Sequence, residues 1–244
     1  ERWGVRLWIS GTDYNAARLA SQSTTGFGGE SAAAFMASHG LTDPDAVDKV
    51  RKRSNYYASM VPQVPARFRR LMGGDTLRIG DHDWACHAGY GHAPEHISLH
   101  CAALGVLISG DMVLPRISTN VSVIDLEPEA NPLPLYLASI GRMLALPAET
   151  LVLPSHGKPF RGLHTRVGQL VAHHDDRFAD LMAACAQAPQ TAASLLPVLF
   201  RRPLDLHQTT FAMGEAIAHL HALWLRGALK RELGEDGVLR FSPA

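Results

Sequence analysis

Five histidines, His82, His87, His92, His96 and His100, fall within 19 residues of a 244-residue chain that holds 13 in all. Imidazole is the commonest protein metal ligand and the side chain that carries protons near neutral pH. Three fragments around and beyond this cluster share one grammar: an apolar run, small residues, then a side chain able to bind metal. Trp84 to Tyr90 leads into Gly91-His92-Ala93-Pro94-Glu95-His96. Val106 to Gly110 leads into Asp111, and Leu151 to Ser155 leads into His156-Gly157. Asp111 follows His92 by 19 residues and His156 follows Asp111 by 45. Imidazole with carboxylate suits Zn²⁺, Fe or Mn²⁺. Glycine beside a ligand lets backbone approach closely. The order of the three fragments is more specific than any one of them, since Gly-Asp after a strand is commonly a turn and Ser-His-Gly commonly a loop.

Such side chains need strand ends to hold them. Val5, Leu7 and Ile9 alternate as a strand does, and Thr12 to Ser23 reads as a helix broken by Gly26-Phe27-Gly28-Gly29. A short helix follows near Ala32 to Ser38. Asp43 as N-cap and Pro44 at the first helical position open a helix that is expected to run to about Met60. Between Thr76 and Asp111 the chain reads as short strands: 76–79, 84–88, 97–101 and 106–109. An irregular stretch then runs to Pro134, followed by a helix over 135–146 and a strand over 151–153. This mixture indicates an α/β, or layered α+β, fold. From Val167 onward three helices are expected (167–187, 191–200 with Thr191 as cap, 209–226), then a hairpin over 228–241 turning at Glu235-Asp236-Gly237. Three helices and a hairpin have the layout of a winged helix. The division expected is 1–170 and 171–244, within a bridging helix.

Composition excludes several classes. Apolar residues are 46% and charged residues 19%, which suits a globular chain and not a disordered one. Lys+Arg and Asp+Glu are both 23, which argues against a basic nucleic-acid binder. The longest apolar runs, such as 104–108, are far below the ~18 residues of a membrane span. Three cysteines without a CxxC give no disulfide framework, so a cytoplasmic setting is expected. Within 191–244 there are six Lys/Arg and five Asp/Glu, and 209–225 contains neither Lys nor Arg, a poor recognition helix. The C-terminal part is expected to act as a packing lid or a homodimer contact.

Gly91-His-Ala-Pro-Glu-His96, Ile108-Ser-Gly-Asp111 and Leu153-Pro-Ser-His-Gly-Lys-Pro-Phe160 resemble the later motifs of metallo-β-lactamase-fold hydrolases. The resemblance is nearest to glyoxalase II-like members with a C-terminal winged-helix extension. It implies part of an αββα sandwich with a winged-helix-like helical domain after it, and a centre of two zinc ions, with Fe or Mn as alternatives. His92 would bind one ion, Asp111 would bridge both and His156 would bind the second. His96 would stand behind the ligands as a hydrogen-bonding residue. The implied chemistry is metal-assisted hydrolysis of a small-molecule ester or thioester. A nuclease of the same fold is the alternative, and a non-enzymatic binding module a third reading.

The family's upstream HxHxDH is not among the 244 residues; His173-His174-Asp175-Asp176 has the wrong spacing and lies on an expected helix. Glu1-Arg2-Trp3-Gly4 reads as a helix end capped by Gly4. The expectation is a chain that begins in mid-domain, a fragment, which alone binds metal poorly and is essentially inactive. Removal of partner strands would leave apolar surface exposed. Arg116 and Asn120, on the irregular loop after Asp111, are the residues that could face a substrate, Arg116 through an anionic group. Cys86 and Cys101 are expected in the core, and His219 and His221 as partly buried packing residues.

Overall fold

The computed structural model describes residues 4–22 and 28–244. The helix end read at residues 1–3 and the break at residues 26–27 lie outside them; Gly4 has the positive φ, 59°, of a C-cap. The chain divides into two units. The first comprises residues 1–18, 63–119 and 134–173, the second 19–62, 120–133 and 174–244.

In the first unit β1 (Leu7–Ile9) pairs in parallel with β2 (Phe68–Arg70). The sequence does not announce β2, a charged tripeptide after two prolines. Tertiary contacts hold it: Tyr14 stacks on Phe68 at 3.9 Å, and the Arg69 guanidinium lies 4.8 Å from the Trp8 ring. β1 is shorter than the alternation suggests, and Val5 is exposed.

A five-stranded sheet follows: β3 (Thr76–Ile79), β4 (His82–Gly89), β5 (His96–Cys101), β6 (Val106–Gly110) and β7 (Leu151–Pro154). β3 to β6 form an antiparallel meander, and β7 lies parallel to β6. The crossover between β6 and β7 carries α5 (Pro132–Arg142) and a 3₁₀ turn (Met143–Ala145), which replaces the single longer helix expected. Leu107 and Val152, register partners on β6 and β7, are fully buried. With Tyr136 and Ile140 of α5, and Leu163, Val167 and Leu170 of α6 (Leu163–Gln187), they form the unit's core. Cys86 and Cys101 are buried in β4 and β5 as expected. Ile108 and Ile79 in the sheet remain substantially exposed.

The second unit is mainly helical. Asp43 caps α3 (Pro44–Lys52) by accepting from the Ala46 N–H. The helix expected to reach Met60 stops at Lys52, and α4 (Tyr56–Met60) is separate. Ser54 and Asn55 compete with helical bonding. Arg53 is also held outside the helix: its side chain donates to Thr210, and its carbonyl sits where a Cβ on Gly28 would be 2.1 Å away. The helix expected over 191–200 is instead a 3₁₀ turn (Ala193–Leu195) and a four-residue α7 (Leu196–Leu199). Thr191 does cap it, taking the Ser194 N–H at 3.0 Å, while Pro197 removes a donor. α8 (Leu206–Leu225) begins with a capping box between Asp205 and Gln208 and is buried on nearly every face from Thr210 to Leu223. β8 (Leu229–Leu233) and β9 (Leu239–Pro243) form the expected hairpin, with Phe241 paired to Gln190. α2 (Gly29–Ser38) completes the unit.

Its core holds histidines that are fully, not partly, buried. His174 Nδ1 lies 3.0 Å from His219 Nε2, and His221 bonds the Ala130 carbonyl through Nδ1 at 3.0 Å. His39 donates from Nδ1 to the Phe35 carbonyl, and burial pushes its pKa down to about 4. Burial also lowers His221. Between pH 6.5 and 4 the unfolded chain therefore takes up protons that the folded chain refuses, and stability falls on acidification. Glu215 has the opposite sign. Burial raises its pKa from 4.5 to about 7, against the pull of Arg177 and Asn120. From pH 4.5 to 7 it ionises first in the unfolded chain, so stability falls as pH rises. Glu215→Gln is expected to stabilise the protein at pH 8 relative to pH 4.5 by about 3 kcal/mol. Urea unfolding of both proteins at the two pH values measures this; the same difference at both would contradict it.

Candidate metal centre

Three loops at one end of the five-stranded sheet bring His92, Asp111 and His156 together. His92 follows β4, Asp111 follows β6 and His156 follows β7. The β6 and β7 ends are tied: the Ser155 N–H donates to the Gly110 carbonyl at 3.1 Å, and the register shifts between Ile108 and Gly110. Beyond β7 the chain returns at once, with Val152 and Phe160 exchanging two backbone hydrogen bonds. His156 therefore sits on a short closed loop. Gly110 turns the chain at φ 54°, and a Cβ there would lie 2.0 Å from His96 Nε2. Only glycine lets β6 end against that imidazole and still aim Asp111 at its neighbours.

The loop after Asp111 is braced from below. Thr119 Oγ1 donates to the Asp111 carbonyl, and Tyr136 OH to the Met112 carbonyl. Arg166 donates to the carbonyls of Leu114 and Ile117 at 2.6 and 2.9 Å. Burial raises the Tyr136 pKa to about 12, so it stays a donor. His164 bonds the Leu146 carbonyl. His164 and Arg166 thus support the loops here.

His92 Nε2 lies 3.4 Å from Asp111 Oδ2, and His156 Nε2 lies 3.6 Å from Asp111 Oδ1. Two ligands on one tetrahedral ion, each at ~2.1 Å, stand roughly 3.4 Å apart. Asp111 Oδ1 is buried and receives no hydrogen bond from the described residues. A buried carboxylate oxygen without a donor is costly, and a cation satisfies it. The donor set, two imidazoles about one carboxylate, has the chemistry of a zinc, iron or manganese site. The set is open: the His156 side chain is 70% exposed, and among the described residues no three His, Cys, Asp or Glu enclose an ion by themselves. The residues fit a metal as part of a ligand shell.

His96 packs on the Gly110 turn. Its Nδ1 is buried without a partner, and burial, then His92, lowers its pKa. Arg116 is exposed on the loop after Asp111. Asn120 is bonded by Ser122 at 2.8 Å and bonds Glu215, both within the second unit. His173-His174-Asp175-Asp176 lies on α6, where His174 pairs with His219.

Sequence reasoning found a helix from Thr12 but not the part its first turn plays at the site, as the start of α1 (Gly11–Gln22). Asp13 Oδ1 accepts the Glu95 N–H at 2.8 Å, and Thr12 donates to the Glu95 carboxylate at 2.9 Å. These bonds fasten the His92–His96 turn to the β1–α1 junction. Ser10 Oγ accepts from the Asp13 N–H, a cap that signals the helix start but not its contact with Glu95.

Comparison with known proteins agrees with this geometry. Residues 15–156 match the family model described as the metallo-beta-lactamase superfamily, and 178–244 match the metallo-beta-lactamase-like C-terminal domain. A probable metallo-hydrolase from Bacillus subtilis (strain 168), YqjP, is 27% identical over 179 residues, or 70% of this chain and 53% of its own length. The chain thus spans about half of that relative. The crystal structure of a beta-lactamase domain protein from Burkholderia ambifaria is 56% identical, with a TM-score of 0.92 over 100% of this chain and 67% of that one. A metallo-beta-lactamase family protein from Thermus thermophilus is 27% identical with a TM-score of 0.76, covering 99% of this chain and 72% of its own. With strand-end loops that gather His92, Asp111 and His156, and a family match that ends on His156 itself, the chain belongs to the metallo-beta-lactamase superfamily.

Proposed function

We propose that the protein is a metal-dependent hydrolase of a small ester or thioester, working at a dinuclear zinc centre for which this chain supplies His92, Asp111 and His156. The observation that carries this is the Asp111 carboxylate set between two imidazole nitrogens, with Oδ1 buried and given no hydrogen-bond donor. Zinc held there would supply Lewis-acid polarisation of the scissile carbonyl and a nucleophile at neutral pH. The chain's own residues set the rest. Asp111, with an imidazole nitrogen near each carboxylate oxygen, would hold the metal together with His92 and His156, and Gly110 and His96 form the turn that aims it. Arg116, exposed beside this turn, would meet an anionic group of the substrate.

The C-terminal part supports a small substrate over nucleic acid. α8 contains no Lys or Arg and is buried on nearly every face, so it offers no charged surface to a phosphate backbone. We place this part as a packing element or a homodimer contact. No helix among the described residues is long and apolar enough to cross a membrane, and a cytoplasmic setting is the proposal that goes with the free cysteines.

The test is a panel assayed with the whole protein and added zinc: p-nitrophenyl acetate, an acyl thioester, bis-p-nitrophenyl phosphate and RNA, each at low and high salt. Ester or thioester hydrolysis is expected to lead the panel and to change little with salt. Cleavage of RNA that falls steeply with salt, with small esters untouched, would give the nuclease reading instead.

A further inference from the structure

A second cavity, of about 370 Å³, lies in the first unit beside β4, and none of its lining residues belongs to the His92–Asp111–His156 group. It exists because β3 is short. Pairing of β3 with β4 ends at Thr76 opposite Ala85, and the turn before β3 extends the contact only to Cys86, through Asp75 and Gly74. Beyond Cys86 this edge of β4 has no strand neighbour among the described residues. The gap is walled by Gly73 and Gly74 on one side and by Ser139 and Arg142 of α5 on the other, with His87 and Ala88 of β4 at its floor. Gly73 lets the turn pack directly on β4: a Cβ there would come within 2.9 Å of the Ala88 Cβ.

Arg142 is exposed on this wall, and hydrogen bonds hold it there. Its Nη2 donates to the Ala88 carbonyl at 2.9 Å and to Ser139 Oγ at 3.2 Å. Ser139 Oγ is itself fixed, donating to the Leu135 carbonyl at 2.7 Å and accepting the Tyr90 N–H at 3.0 Å. Both acceptors of the guanidinium are uncharged, and Arg142 forms no ion pair among the described residues. A pre-positioned cation with free N–H donors, at a small gap lined by glycine, alanine and methionine, matches a compact anion with an apolar body.

We propose that this cavity is a binding site for a small apolar carboxylate, held by the Arg142 guanidinium with its body between the Gly73–Gly74 turn and α5. Beside it, burial and then the nearby Arg142 lower the pKa of His87, and its Nε2 is buried with no hydrogen-bond partner among the described residues. The cavity volume is at the small end of ligand pockets and suits a body of benzoate size.

The test uses the ¹⁵N-labelled protein after chelation of metal, so that its outcome is independent of the proposed zinc centre. Benzoate is titrated against its uncharged isostere, benzamide. Benzoate is expected to bind at least ~10-fold more tightly, as a charge-assisted bond to arginine requires, and to shift the amides of Gly73, Gly74 and Ala88. Arg142→Gln is expected to erase the preference, and Arg142→Lys, which keeps the charge but not the fork, to retain part of it. Far-UV circular dichroism checks that the variants fold. Equal affinity for benzoate and benzamide, shifts confined to other residues, or an unchanged preference in a folded Arg142→Gln protein would each overturn the proposal. So would the absence of binding at ~10 mM benzoate.

Discussion

Asp111→Ala is expected to abolish zinc binding at the strand-end site, lowering affinity by well over ~100-fold, whereas His96→Ala is expected to lower it by roughly 10-fold. The difference follows from what each side chain touches. Among the described residues Asp111 is the group that meets both imidazoles, and its buried Oδ1 has no hydrogen-bond donor there. Removing it takes away the shared negative charge and leaves two separate histidines. His96 touches the site through the Gly110 turn and would not itself be a ligand. In the whole protein the same order is expected for hydrolysis. Competition with a chromophoric zinc chelator measures the affinities. An Asp111→Ala protein that binds zinc within ~3-fold of the parent would remove the carboxylate from the centre.

Gly110→Ala is expected to be the most damaging single methyl group in the first unit, destabilising it by about 3 kcal/mol. Two effects add. The residue sits at φ 54°, which disfavours any side chain, and the new Cβ would lie 2.0 Å from His96 Nε2 and 2.5 Å from Cε1. Gly105→Ala separates them, because Gly105 has φ 61° but nothing within 4 Å of its Cβ. That variant is expected to lose only the backbone part, about 1–2 kcal/mol. Adding His96→Ala to Gly110→Ala should restore part of the loss. Equal losses for Gly105→Ala and Gly110→Ala in urea unfolding would show that the imidazole yields freely.

The convergence of His92, Asp111 and His156 was legible in the sequence because its determinants are local. His92, Asp111 and His156 each stand just beyond an apolar strand, and Gly91, Gly110 and Gly157 all adopt positive φ beside them. Spacing alone therefore places the three side chains at strand ends. What supports them was not legible, because it is distant in the chain. Asp13 reaches Glu95 across 82 residues, and Arg166 reaches Leu114 across 52. Nothing in Thr12-Asp13 marks it as the anchor of a turn so far downstream. β2 escaped notice for the same reason: Phe68-Arg69-Arg70 has no apolar alternation and is a strand only because Trp8 and Tyr14 receive it. Thr210 helps to hold Arg53 outside the 44–60 helix beside the local effect of Ser54 and Asn55, and His174 pairs with the fully buried His219, partners that no local pattern names.

The most direct measurement follows the imidazole nitrogens of ¹⁵N-labelled protein during zinc titration. His92 and His156 Nε2 should shift together on one isotherm, and both responses should vanish in Asp111→Ala. The buried His39, His221 and His219 should stay unmoved. A response from only one of the two, or zinc taken up by the other histidines while His92 and His156 stay silent, would contradict a metal centre built on Asp111.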